Sequence, residues 1–85
     1  MWTRAELIAF WKVRGIDPDR CYYTGWPRGG AFEVDHLTPM ARGGEDVIEN
    51  LVPCLPAVKL VKNHRTPAEL IRFLDSGPRE LRIAV

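Results

Sequence analysis

Leu7, Ile8 and Trp11 recur at helical spacing behind Thr3 and Glu6, a pair set three apart as in a capping box, and Gly15 stops the run. The pattern predicts a helix over residues 4–14. Residues 16–19 read as a loop, because Pro18 pushes the residue before it out of the helical region and the Asp side chains favour turns. Aromatic and β-branched content at 20–25 suggests a short strand or knuckle. A Pro- and Gly-rich turn at 26–30 follows, and then 31–36 alternates apolar and polar as a half-buried strand does. These segments together predict a β-hairpin. Residues 37–44 form a loop whose glycine pair lets backbone approach something closely. A short helical turn is expected within 45–52, and Pro53 and Pro56 fit the approach to a helix ending near Asn63. A second capping box, Thr66 with Glu69, starts a helix that places Leu70, Ile71, Phe73 and Leu74 inward and closes at Gly77-Pro78. Residues 79–85 are open to either a short strand or a tail.

The chain has 85 residues, which leaves room for one domain with its core at about 20–75. With 46% hydrophobic and 27% charged residues it reads as globular. No run approaches the roughly 18 apolar residues of a membrane span, and the first residues lack the layout of a signal peptide, so an intracellular, cytoplasmic address is expected. A net charge of +1 neither requires nor excludes nucleic acid. Lys59, Lys62, Arg65 and Arg72 against Glu69 nevertheless leave residues 57–72 basic by three charges, a surface suited to phosphate. Arg42, beside the glycine pair, is a further candidate to reach a phosphate. Cys21 and Cys54 are too few for a four-cysteine zinc site and are expected as buried, reduced thiols.

Both histidines, a neighbouring carboxylate and two asparagines fall between positions 35 and 64. A carboxylate and an imidazole in one cleft divide the work of hydrolysis: the first holds a hard cation, the second takes a proton from water. Asp35 and His36 close a strand, where alternation separates them unless the following Leu37-Thr38-Pro39 bends the chain.

The ordered motifs Cys21-Tyr22-Tyr23-Thr24-Gly25, Val34-Asp35-His36-Leu37-Thr38-Pro39, Arg42-Gly43-Gly44, Asn50-Leu51-Val52-Pro53, Lys62 and Arg65-Thr66-Pro67-Ala68-Glu69 resemble the HNH endonucleases, in their small phage and bacterial branch. The resemblance implies an α+β fold with a ββα-metal core, a hairpin and central helix flanked by N-terminal and C-terminal helices. It implies His36 as general base, Asn50 as the residue holding its imidazole, and Asp35 as a ligand to Mg²⁺ or Mn²⁺ at a phosphate of double-stranded DNA. A phage packaging machine or other protein partner is suggested only by the family's usual company. The family's four zinc positions correspond to Cys21, Thr24, Leu55 and Val58, so no structural zinc is expected, and Leu55, Val58 and Tyr22, Tyr23 or Trp26 should fill that volume. Lys59 stands where the family places a second metal ligand, and an ammonium has no lone pair to give. Asn63 or His64 would have to replace it. Otherwise Lys59 takes the cation's place, and the chain is a decayed module that binds DNA or a protein without cutting. Lys59, Lys62, Arg65 and Arg42 are the expected DNA contacts.

Overall fold

The computed structural model describes residues 1–30 and 33–76. In chain order the elements are α1 (Arg4–Val13), β1 (Glu33–His36), β2 (Leu51–Cys54), α2 (Pro56–Lys62) and α3 (Pro67–Ser76), with 3₁₀ turns at Met40–Arg42 and Ile48–Asn50. The fold is α+β, a two-stranded antiparallel sheet followed by α2, with α1 before it and α3 after it. The expected stop at Gly77-Pro78 and the strand or tail at 79–85 lie outside the described residues, as do Ala31 and Phe32 at the start of the expected strand.

Local signals set the helix ends. Thr3 Oγ1 accepts from Glu6 N at 3.1 Å while Glu6 Oε1 accepts from Thr3 N at 2.8 Å. At the other end Gly15, at φ 74°, lets Ile16 N reach Trp11 O and Gly15 N reach Lys12 O, the paired bonds of a Schellman ending. Thr66 and Glu69 repeat the reciprocal bonds at the start of α3.

The strand partner differs from the expected one. β1 pairs with β2, Asp35 opposite Val52 and His36 opposite Leu51, and not with 20–25. The 20–25 segment is instead a tight knuckle: Cys21 N donates to Trp26 O, Gly25 N to Cys21 O, and one isolated bridge joins Arg20 to Pro27. Strand β2 supplies four consecutive buried residues, including Pro53, whose carbonyl accepts from Tyr22 N at 2.9 Å and so draws the knuckle onto the sheet. The expected turn within 45–52 appears at Ile48–Asn50 and runs directly into β2.

Two apolar clusters hold these pieces. Leu7, Trp11 and Leu51 pack with Val34 and Ile48, and Trp11 Nε1 donates to Leu51 O at 2.9 Å, fixing α1 on β2. Cys21, Cys54, Val58, Leu70 and Leu74 pack with Tyr23, Trp26, Leu55 and Val61, joining knuckle, sheet, α2 and α3. Leu55, Val58, Tyr23 and Trp26 therefore meet as expected, whereas Tyr22 stays exposed. Among the described glycines, Gly44 lies closest to other backbone. Any Cβ there would overlap the Thr38 carbonyl, so the glycine pair serves the loop's own closure. Gly44→Ala is expected to lower the unfolding free energy by about 1–3 kcal/mol, read from urea denaturation.

Candidate nuclease site

Strand alternation sends Val34 toward α1 and Asp35 to the opposite face, toward α2. On α2, Val58 and Lys62 lie one turn apart on the buried face, so the Lys62 stem enters the interior and the residue is fully buried. Its Nζ donates to Asp35 Oδ2 and to the His36 carbonyl, each at 2.9 Å. Tyr23 donates its hydroxyl to the same Oδ2 at 2.6 Å, and its ring centroid lies 5.5 Å from Nζ. Burial first, then Asp35, pushes the Tyr23 phenol far above its ordinary pKa, which keeps it a donor. Lys62 is thus no DNA contact, contrary to the sequence expectation. A carboxylate as buried as Asp35 needs a counter-charge, and Lys62 is the cation that reaches it.

Between β1 and α2 opens a cleft of about 550 Å³ lined by Glu33, Asp35, Pro56, Lys59, Leu60, Asn63 and His64. Lys59 does not take a cation's seat on Asp35. Its Nζ donates to Val34 O at 2.8 Å and lies 3.5 Å from Glu33 Oε2. Asn63 closes α2 at φ 51°, its N–H on Lys59 O, and its side chain joins that of His64 in the cleft wall.

The donor set fits a sparsely ligated hard cation. Tyr23 and Lys62 both bind Asp35 Oδ2, and Asn63 and His64 line the same cleft as Asp35. Mg²⁺ commonly takes one or two protein oxygens and completes its shell with water and phosphate. Among the described residues, no group of three or more His, Cys, Asp and Glu could hold a metal by itself.

His36 does not line this cleft. Its Nε2 lies 3.0 Å from Asp46 Oδ1, and the side chain is 32% exposed. Asp46 was missed in the sequence, where an acid in a Gly-rich loop carries no distinguishing signal. Asn50 differs from its expected role. Its Oδ1 accepts from Thr38 N at 3.0 Å, and its Nδ2 donates to Thr38 O and Glu45 O. The amide therefore clamps the loop over 38–45, while its own carbonyl accepts from Leu37 N at 2.8 Å. Asn50 acts on the backbone that carries His36, and Asp46 is what holds the imidazole.

Two expected phosphate contacts are occupied within the chain. Arg42 forks onto Glu69 at 2.8 and 3.3 Å, and Arg65 donates to Val61 O at 2.7 Å with its guanidinium 4.1 Å from the Phe73 ring centroid. Arg42 thus anchors the loop to α3. Cys21 and Cys54 are free, buried thiols, and their mutual hydrogen bond makes Cys21 the more acidic of the two and raises Cys54.

The Arg42 bond, then the Thr66 backbone donor, holds the Glu69 carboxyl at about 2, down from 4.5. A carboxylate depressed in the fold stabilises it fully above its unfolded pKa and loses that contribution as pH falls through the folded value. The unfolding free energy should therefore decline from about pH 4.5 toward pH 2, and Glu69→Gln should remove part of that slope in acid titrations followed by circular dichroism. Lys62→Met, which strands Asp35, should cost about 3–5 kcal/mol. Adding Asp35→Asn should restore part of that loss in the same denaturation assay.

A family model described as HNH endonuclease matches residues 21–68, more than half of the chain. No curated protein and no solved structure matches. The matched span contains the knuckle, both strands, α2 and the start of α3, and Asp35, His36 and Asn50 fall within it. The chain belongs to the HNH endonuclease family.

Proposed function

We propose that this protein is a metal-dependent endonuclease that hydrolyses phosphodiester bonds of double-stranded DNA, with His36 as general base. The observation that carries the reading is the His36–Asp46 pair one residue from Asp35 in the cleft wall. An imidazole donating Nε2–H to the Asp46 carboxylate keeps Nδ1 as its lone-pair nitrogen, the form that accepts a proton from water. Asp46 also stabilises the imidazolium that results. Asn50 fixes the loop at 38–45, and Lys62 holds the His36 carbonyl, so the backbone that follows the base is anchored.

The Asp35 carboxylate with Asn63 or His64 would hold Mg²⁺ or Mn²⁺. When bound there, such an ion neutralises charge that builds on the phosphoryl oxygens and the leaving group. Lys59, 45% exposed at the cleft, offers a further positive charge to the backbone. Among the described residues no long helix is presented as a groove reader, which supports weak sequence preference.

A second reading, a module that binds DNA or a protein partner without cutting, is favoured by one observation. Lys59, on α2, lines the cleft and brings a positive charge into it.

Supercoiled DNA incubated with the protein and either ion should be nicked. His36→Ala should lower the rate by about 10²–10⁴-fold, the usual contribution of a general base. Intact DNA at high protein concentration, or undiminished nicking by His36→Ala, would refute the nuclease reading. Nicking that appears only in Lys59→Asn or Lys59→His would establish the second.

A further inference from the structure

The carboxylates of the cleft are both neutralised from within. Glu33 faces Lys59 at 3.5 Å and Asp35 faces the fully buried Lys62 at 2.9 Å, so these four formal charges sum to zero. Affinity for a hard divalent ion rises with the number of charged oxygens around it, and such an ion surrenders its hydration reluctantly. Asn63 brings a neutral amide and His64 an imidazole, and neither repairs the deficit. The free protein therefore presents oxygen donors without the net negative charge that normally draws Mg²⁺ or Mn²⁺ to them.

A phosphodiester changes that balance. Its anionic oxygen would enter the same cleft, near Lys59, and supply both charge and an inner ligand. We infer that the cleft takes up its divalent cation only together with the nucleic-acid backbone, because Lys59 and Lys62 cancel the protein's own carboxylates. The inference deepens the nuclease reading and rests on it. Lys59 and Lys62 act as positioning residues that set the order of assembly, Lys59 through Glu33 and Lys62 through Asp35. By linkage, the factor by which DNA strengthens ion binding must equal the factor by which the ion strengthens DNA binding.

Electron paramagnetic resonance of free Mn²⁺ tests this without relying on turnover. The wild-type protein is titrated alone. The His36→Ala protein, which keeps every donor of the cleft, is titrated with and without a short duplex, and the duplex alone serves as reference. Expected are little uptake by either free protein and about one additional bound ion in the protein–duplex mixture, matched by a roughly 10-fold gain in duplex affinity measured by fluorescence anisotropy. Lys59→Gln frees Glu33 from its partner at an exposed position and should raise the free protein's Mn²⁺ affinity by about 10-fold.

Tight uptake by the free wild type, duplex affinity indifferent to Mn²⁺, or an unchanged Lys59→Gln each overturns the inference while leaving the nuclease reading intact. Absence of uptake in both states overturns it as well. If nicking is then also absent, the nuclease reading falls with it.

Discussion

A carboxylate and an ammonium, both withdrawn from water, set the geometry from which the rest of the molecule follows. Asp35 leaves β1 toward α2, and the Lys62 ammonium meets it and the His36 carbonyl together. Removing two ions from water is costly, and their attraction offsets that cost only when the remaining hydrogen-bonding capacity is filled. Tyr23 contributes on the acid side and the His36 carbonyl on the basic side. One contact thereby ties the knuckle, β1 and α2 beside the cleft. The same pair specifies the register between β1 and α2, since a shift of one residue in the strand would turn Asp35 to the other face.

The site divides into two halves with different supports. The half that faces the cleft belongs to α2 and the inner face of β1. The half that holds His36 is the end of β1 and Asp46, joined by the loop over 38–45, which is clamped by Asn50 and stitched to α3 by Arg42 and Glu69. Loops of this size are usually the mobile part of a small domain, yet this one is bound at its two ends and in its middle by side chains from distant positions. The arrangement suits chemistry in which a base must be presented at a fixed angle to a group held elsewhere.

Local sequence chemistry made part of this legible. Both capping boxes, the Gly15 ending and Pro56 at the start of α2 are short-range devices, and the helices begin and end where those residues dictate. The strand partner was hidden because β pairing is non-local and because Pro53 disguises β2 as the approach to a helix. Lys62 was misread for a related reason. A lysine on a basic helix suggests a solvated face, and only its place one turn after Val58, together with an acid on the facing strand, marks it as buried. The family motif drew attention to Asp35, His36 and Asn50. It could not tell that Asn50 grips backbone and that the imidazole rests on Asp46, since side-chain partners depend on loop closure.

The cleft is assembled from parts far apart in the chain: Asp35 before the long loop, Asn63 and His64 after α2, and the buried ammonium contributed by the last residue of that helix. A nascent chain still lacking α2 would hold an acid with no partner and only one wall of the groove. The cleft therefore closes only when α2 docks and residue 62 meets Asp35.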